Sequence, residues 1–291
     1  MEKPTIVFFG TPHFAVHVLD ELENANLTPD VVVTQPDKPA GRGLALTQSP
    51  VKAWALTRDI PVLEPKSLKK ESDALDFLKN SEWDLFLVAA YGKILPKDIL
   101  DLPQKGVLNV HPSLLPRFRG ASPVESQILA DEREVGVSIM LMDEEMDHGP
   151  VLAAASITPE QWPLKASILE PLLAQAGGEL LAETIPAWLA GDITQEEQEH
   201  DRATYTSKIT KENGHIEITR HPMSGKDEYC KYLKFCAYDG WPGVFFMYEK
   251  NSGQKIRVKI TDAEYKNGVF MPLTVIPEGK KETPYENFLQ N

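Results

Sequence analysis

The sequence has little cysteine, no long apolar run and fewer basic than acidic residues. Its two cysteines, Cys230 and Cys236, are six positions apart, a spacing that fits neither a disulfide framework nor the ligand pattern of a zinc site. We therefore expect two reduced thiols in the core. The apolar run at residues 6–9 stops at Gly10, far short of a membrane-spanning helix or a signal-peptide core. These absences predict a cytoplasmic protein that binds no membrane.

The deficit of basic residues restricts where a nucleic acid could bind. The chain has 30 Lys and Arg against 43 Asp and Glu, a formal net charge of −13, and a field of this sign repels polyanions on average. The imbalance is uneven, because residues 1–204 contain 17 basic and 32 acidic residues whereas residues 205–291 contain 13 and 11. A polyanionic partner is therefore expected to bind the near-neutral C-terminal part, with modest and salt-sensitive affinity.

The length of 291 residues and the hydrophobic content of 42% fit two globular domains. Short apolar runs alternate with helical patterns over residues 1–190, which predicts a Rossmann-like, mostly parallel sheet with helices on both faces. Residues 191–204 are polar and acidic without apolar periodicity, and we interpret them as a linker. Short strands separated by Asn/Gly turns then predict a small β-barrel, OB-like, at 205–291.

The turn Gly10-Thr11-Pro12 follows the first predicted strand. A dinucleotide-binding G-x-G-x-x-G pattern would need glycines at Pro12 and Ala15, so a Rossmann cofactor is not expected. Two interpretations remain, an ordinary strand-to-helix turn and a substrate-facing loop at the carboxyl end of a strand.

The strongest functional signal is the segment NVHPSLLPRFRG at residues 109–120. Asn109 and His111 are two positions apart on a predicted strand, so their side chains face the same side. An amide donor beside an imidazole suits acyl transfer, in which the pair stabilises an oxyanion and relays a proton. Such a His needs an acid to orient it, and Asp147 is the best candidate because it lies just before a Gly-Pro turn, at residues 149–150. We expect the neighbouring His148 to lie at the surface.

These segments, together with GVSIM at 136–140 and MDHGP at 146–150, resemble the formyltransferases that use 10-formyltetrahydrofolate. Within that family, FGTP at 9–12, QPDKPAGRG at 35–43 and AYGKILP at 90–96 are similar to the methionyl-tRNA formyltransferases. The close resemblance covers residues 6–211. It implies transfer of a formyl group to the α-amine of methionyl initiator tRNA for translation initiation. It also implies that Asn109, His111 and Asp147 are catalytic and that no metal takes part.

The resemblance also implies the binding residues. The tetrahydrofolate-binding stretch and the wall around the pterin correspond to Ser113, Leu114, Leu115, Pro116, Tyr91, Gly92 and Ile94. The tRNA contacts correspond to Arg42, in the loop that closes on the acceptor stem, and to Lys208 and Lys211. The C-terminal barrel is shorter than is usual in the family, so a weaker hold on tRNA is expected.

Three other functions remain open at this point. A sugar-nucleotide amine formyltransferase would share the Asn-His-Asp site, but the loop at 35–43 and the segment at 205–209 disfavour it. A 10-formyltetrahydrofolate hydrolase would use water in place of the amine. A non-catalytic tRNA-binding module is disfavoured because Asn109, His111 and Asp147 are all present. We expect the protein to be a monomer.

Overall fold

The computed structural model describes residues 3–40, 45–219, 225–250 and 252–290. Strands and helices alternate over the first two thirds of the chain. In chain order they are β1 (Ile6–Gly10), α1 (His13–Asn24), β2 (Val31–Val33), β3 (Lys38–Ala40), β4 (Ala45–Thr47), α2 (Pro50–Leu56), β5 (Val62–Leu63), α3 (Asp73–Lys79), β6 (Leu85–Ala89), α4 (Lys97–Leu100), β7 (Val107–His111), β8 (Arg119–Gly120), α5 (Pro123–Leu129), β9 (Val135–Leu141), β10 (Val151–Ile157) and α6 (Ala166–Ala190).

The remaining part is richer in antiparallel strands. Two 3-10 helices, His200–Arg202 and Lys211–Gly214, lie among its elements. The others are β11 (Tyr205–Thr206), α7 (Lys226–Ala237), β12 (Phe245–Glu249), β13 (Lys255–Lys266), β14 (Val269–Pro277), β15 (Thr283–Pro284) and α8 (Tyr285–Leu289).

The predicted parallel sheet is confirmed. The described strands follow the order β10-β9-β7-β6-β1-β2-β5. Strands β5, β2, β1, β6 and β7 pair in parallel, and β9 pairs antiparallel to β7. The chain runs outward from β1 to β2 and β5, then resumes on the other side of β1 at β6. The direction of winding therefore reverses between β1 and β6, the point where open α/β sheets form a crevice at the carboxyl ends of their strands.

Strand β1 is buried on both faces, as expected for a parallel strand covered by helices. Ile6 and Phe8 pack in one apolar cluster with residues of α1, α2 and α6, whereas Val7 and Phe9 pack in another with residues of α3 and α4. This alternation follows from the two-residue period of a strand. The helices therefore cover both faces of the sheet, as predicted.

The Leu/Ala-rich pattern predicts a helix over residues 169–185 with Pro171 in its first turn. Helix α6 is longer than this prediction. It begins at Ala166, so Pro171 lies inside it rather than in its first turn. Gly177 and Gly178 do not interrupt it. A Cβ at Gly177 would lie 2.5 Å from Val110, and one at Gly178 would lie 2.8 Å from the Glu21 side chain. The two glycines therefore let the helix pack closely between the sheet and α1.

The chain divides into two compact units. The first consists of Met1–Arg119, Gly136–Ile157 and Glu170–Tyr205, and the second of Gly120–Val135, Thr158–Leu169 and Thr206–Asn291. These bounds differ from the predicted division at 1–190, 191–204 and 205–291. Residues 120–135 belong with the C-terminal part because α5 packs against α7.

The linker prediction at 191–204 also needs correction. Val151 and Glu196 exchange two backbone hydrogen bonds, at 2.9 and 3.0 Å, and these attach the segment to strand β10. Gln198 is buried in the first unit. Because the segment is mostly polar and acidic, its sequence pattern did not indicate that the amide of Gln198 is buried.

The second unit contains an antiparallel sheet in the order β12-β13-β14-β15, in the part of the chain where the sequence predicts a small OB-like β-barrel. Helix α7 was not predicted from the sequence. Both cysteines lie on it, and only Cys236 is buried, whereas Cys230 is exposed. The expectation of two core thiols is therefore wrong for Cys230. Burial raises the pKa of the Cys236 thiol to about 11. None of the helices in the described ranges is long and apolar enough to cross a membrane.

Candidate active site

Three strand ends of the first unit are joined at the point where the winding reverses. The carbonyl oxygen of Tyr91, which follows β6, accepts hydrogen bonds from Thr11 Oγ1 at 3.1 Å and from Gln35 Nε2 at 2.8 Å. Thr11 follows β1, and Gln35 follows β2. The turn at Gly10 is closely packed, because a Cβ there would lie 2.6 Å from both Ala15 and Phe8. This turn therefore lies at the carboxyl edge of the sheet, the position that the substrate-facing interpretation requires.

Asn109 and His111 lie on β7 and are nearly buried, with 9% and 4% of their surfaces exposed. Their spacing places both side chains on the same side of the strand. Within the described ranges, the side-chain amide of Asn109 has no hydrogen-bond partner. Its N–H groups can therefore donate hydrogen bonds to a ligand.

The ring of His111 lies between a carbonyl group and a carboxylate. Its Nε2 atom is 3.0 Å from the carbonyl oxygen of Phe118, and its Nδ1 atom is 3.7 Å from Asp147 Oδ1. Because a carbonyl oxygen only accepts hydrogen bonds, this geometry favours a proton on Nε2 and directs Nδ1 to Asp147. Both partners have left-handed backbone conformations, with φ of 59° at Phe118 and 50° at Asp147. The structure thus brings together the predicted His and its predicted acid.

The loop after His111 is held by two buried hydroxyl groups. Ser113 Oγ donates to the Arg117 carbonyl at 2.7 Å, and Ser138 Oγ on β9 donates to the Ser113 carbonyl at 2.8 Å. Ser138 Oγ also accepts a hydrogen bond from the Leu115 backbone at 3.1 Å. The Ser113 hydroxyl is therefore engaged inside the loop. Of the four residues predicted to contact folate here, Leu114, Leu115 and Pro116 retain partly accessible side chains.

The three residues predicted to form the pterin wall differ in exposure. The ring of Tyr91 is buried in the core, 5.5 Å from that of Phe9 in an edge-to-face arrangement. Its hydroxyl has no partner in the described part of the chain, and burial raises its pKa to about 12. Gly92 has φ of 75°, and a Cβ there would lie 2.8 Å from Gln35 Nε2. Ile94 is 71% exposed, so it is the residue of the three whose side chain a ligand can reach.

Lys93, between these residues, is oriented by backbone groups. Its Nζ atom donates to the Pro65 carbonyl at 2.8 Å and to the Lys66 carbonyl at 3.3 Å. Burial, and secondarily the charge of Lys38, lower the pKa of Lys93. A cation is thus held beside the predicted pterin wall.

The structure describes two of the three residues predicted to contact tRNA. Arg42 lies outside the described residues. Lys208 and Lys211 are both exposed in the second unit, where Lys211 begins a 3-10 helix. In the described ranges there is no group of three or more His, Cys, Asp or Glu residues arranged to hold a metal ion.

Sequence reasoning missed several residues that support the site. Phe118 contributes only its carbonyl group, and Ser138 acts through a hydroxyl that is distant in sequence from its partners. His148, expected at the surface, is half-buried and its Nδ1 atom lies 2.6 Å from Asp143. The pattern around Arg119 was visible as Arg-x-Arg-Gly, but the sequence alone gave no sign that its guanidinium would be buried.

Comparison with known proteins identifies the family. The formyl transferase family model matches residues 4–181. A methionyl-tRNA formyltransferase from Myxococcus xanthus (strain DK1622) is 41% identical over 282 residues, which cover 96% of this chain and 85% of the relative. The chain belongs to the methionyl-tRNA formyltransferase family. Another member, from Dictyoglomus turgidum, is 36% identical over 310 residues, covering 98% of this chain and 95% of that relative. The predicted family and the predicted enzyme class are confirmed.

Solved formyltransferases share the fold of this family member. A methionyl-tRNA formyltransferase from Clostridium thermocellum superposes with a TM-score of 0.58 at 17% identity, covering 94% of this chain and 98% of that one. The sugar 3N-formyl transferase WlaRD, solved in the presence of dTDP and 5-N-formyl-THF, gives a TM-score of 0.64 at 19% identity, covering 92% and 88%. At these identities the likeness establishes the fold alone.

Proposed function

We propose that this chain transfers a formyl group from 10-formyltetrahydrofolate to the α-amine of methionyl initiator tRNA, as a cytoplasmic monomer that uses no metal. The observation that carries the proposal is that His111 Nδ1 lies 3.7 Å from Asp147 Oδ1. His111 shares strand β7 with Asn109, whose side-chain amide has no partner in the described ranges. The 41% identity to the Myxococcus xanthus enzyme favours tRNA over other amine acceptors.

The reaction follows from the roles that these side chains can take. The neutral α-amine attacks the formyl carbon, a C–N bond forms, and the carbonyl electron pair moves to oxygen. Asn109 stabilises the resulting oxyanion by hydrogen bonding, and so does His111 when both of its ring nitrogens carry a proton, because Nδ1–H then donates while Nε2–H stays on the Phe118 carbonyl. The bond from carbon to N10 of the folate then breaks. The amine loses a proton to Asp147, directly or through water, and N10 gains one, giving the formamide and tetrahydrofolate.

Asn109 suits the oxyanion role because its amide is nearly buried on β7, the strand that also carries His111. A preorganised donor in a water-poor site stabilises developing charge without reorganisation, and removal of one such donor typically costs about 100- to 1,000-fold in kcat. For the donor molecule, the accessible apolar side chains of Ile94, Leu114 and Leu115 supply contacts for the pterin and its neighbouring ring, with Gly92 and Pro116 shaping the surface between them.

The two parts of the chain then have separate tasks. The catalytic domain corresponds to the first unit, Met1–Arg119, Gly136–Ile157 and Glu170–Tyr205, which includes Gln198. The C-terminal part, with Lys208 and Lys211, would bind tRNA together with the loop that contains Arg42. Its near-neutral charge implies modest affinity that falls as salt rises.

One assay tests this function directly. The protein is incubated with 10-formyltetrahydrofolate and methionyl initiator tRNA, and formylmethionine is measured after the ester bond is hydrolysed. We expect rapid formation of formylmethionyl-tRNA and slow formation with free methionine. Formylation of an amino-sugar nucleotide but not of tRNA would replace the acceptor, and formate release without any amine would identify a hydrolase. Absence of all three products would leave only a tRNA-binding module.

A further inference from the structure

The backbone that carries Asp147 is held by one buried side chain. Gln198 Nε2 donates to the Asp147 carbonyl at 3.0 Å and to the Gly149 carbonyl at 2.7 Å. Gln198 is separated from these residues by about fifty positions in the chain, and all three belong to the first unit. The contact therefore holds the backbone of the turn that places the Asp147 carboxylate.

The other end of the Gln198 amide is fixed by Arg119. Arg119 Nη2 and Nε donate to Gln198 Oε1 at 2.6 and 3.1 Å. Only 1% of the Arg119 surface is exposed. A primary amide is suited to this position because it accepts from the guanidinium and donates to the two carbonyls at the same time. Hydrogen bonds to a charged donor are among the stronger ones in proteins.

A second connection holds the residue after Asp147. Arg119 Nη2 also donates to His200 Nδ1 at 2.9 Å. The ring of His200 stacks on that of His148, with centroids 4.2 Å apart and planes 5° from parallel. The same guanidinium thus supports the turn at Asp147 and at the two residues that follow it.

This support matters because the turn has an unfavourable backbone conformation. Asp147 has φ of 50°, in the left-handed region that non-glycine residues adopt infrequently. Such conformations persist when the surrounding contacts determine them. A shift of about 1 Å in a catalytic group can lower turnover about 100-fold, so the precision of the turn bears on the rate.

We infer that Gln198 and Arg119 are positioning residues for Asp147, which act through that carboxylate and do not touch the substrate. The inference rests on the proposed function, because it assumes that Asp147 takes part in formyl transfer. It also assigns a role to part of the segment at 191–204, which the sequence pattern indicated was a linker.

Two variants of Gln198 separate positioning from stability. Gln198→Ala removes every contact of the amide. Gln198→Glu keeps acceptors for Arg119 and so preserves the partner of the buried cation, but its carboxylate faces the two carbonyls that the amide held. We expect both variants to lower kcat by roughly 10- to 100-fold with the KM for 10-formyltetrahydrofolate within about 2-fold of wild type. Gln175→Ala, at an exposed glutamine of α6, is the matched control and should behave as wild type.

The deciding measurement combines each variant with Asp147→Asn. If Gln198 acts through the carboxylate, Gln198→Glu should lower the residual kcat of Asp147→Asn by less than about 3-fold, because effects of residues that act as a unit are not additive. An equal fold loss in both backgrounds, or wild-type kcat in Gln198→Glu, would overturn the inference while leaving the proposed function intact. Wild-type turnover in Asp147→Asn itself would overturn both. If Gln198→Ala does not fold, Gln198→Glu alone decides.

Discussion

The Nε2 atom of His111 lies 3.0 Å from the carbonyl oxygen of Phe118, and this contact determines which ring nitrogen faces the catalytic acid. With Nε2 donating to a backbone carbonyl, Nδ1 is the atom directed to Asp147, at 3.7 Å. That separation is longer than a direct hydrogen bond. The ring is therefore oriented by the backbone, and the Asp147 carboxylate is near enough to influence Nδ1.

Replacement of Asp147 by asparagine should separate chemistry from folding. The amide has the same size as the carboxylate, and the backbone contacts with Gln198 are unchanged. We therefore expect normal folding and a near-normal KM for the folate donor, with kcat lowered about 100- to 10,000-fold, the usual contribution of a positioned acid or base. The measurement is steady-state formylation of methionyl initiator tRNA. Glu145→Gln, at an exposed carboxylate of the same loop, is the control, and near-normal turnover in Asp147→Asn would contradict the assignment.

Asn109→Leu should have opposite effects on activity and stability. The substitution keeps the approximate volume but removes the amide donor, so we expect kcat to fall about 100- to 1,000-fold. The amide is nearly buried and has no partner in the described ranges, and replacing such a group by an apolar one of similar shape is close to neutral or stabilising. Thermal unfolding and kcat are measured on the same preparations, with Asn80→Leu at an exposed position as the control. A variant that loses stability in proportion to activity would indicate a structural role instead.

The parallel sheet could be predicted, and Asn109, His111 and Asp147 could be proposed as catalytic, because each leaves a local pattern. Buried parallel strands are short continuous apolar runs, and Asn109 and His111 share a face because strands have a two-residue period. Asp147 was found from its place before a Gly-Pro turn. In each case the information lies within a few neighbouring positions.

The missed features depend on contacts between distant positions. Gln198 bonds to residues about fifty positions away, and the acidic residues around it give the segment the composition of a solvated linker. The resemblance implied that Ser113 contacts folate, whereas in the structure its hydroxyl donates to the Arg117 carbonyl within its own loop. The same holds for Tyr91, whose motif predicted a ligand contact but whose ring lies in the core.

Tyr91→Phe tests whether the Tyr91 hydroxyl contributes to stability or to binding of the folate donor. Burial raises the pKa of Tyr91 to about 12 from 10.0. Between pH 10.0 and about 12, Tyr91 is ionised in the unfolded chain and neutral in the folded chain. The free energy of unfolding therefore falls as pH rises through that interval. The variant should lose this part of the alkaline slope. At neutral pH it should be as stable as wild type or more so, by up to about 1 kcal/mol, because a buried hydroxyl without a partner is removed.

Tyr229→Phe is the matched comparison for Tyr91→Phe. The pKa of Tyr229 is also raised to about 12, chiefly by burial, but its hydroxyl donates to Asp131 at 2.8 Å. We expect this variant to lose about 1 kcal/mol at neutral pH. Urea unfolding at pH 7 and pH 10.5 distinguishes the two. A loss of stability in Tyr91→Phe, or a several-fold rise in the KM for the folate donor, would show that the Tyr91 hydroxyl has a partner in the working enzyme.

Gly149→Ala should disturb the turn that Gln198 holds. A Cβ at this position would lie 2.0 Å from the Leu141 carbonyl oxygen, which is backbone and cannot rotate away. The chain must shift there, although Leu141 and Pro150 are joined by a hydrogen bond of 2.9 Å, so both stability and kcat should fall. Gly240→Ala has open space around its Cβ and should change stability by no more than about 0.5 kcal/mol. Wild-type kcat in Gly149→Ala would mean that the position of Asp147 tolerates this shift, which would also weaken the positioning role of Gln198.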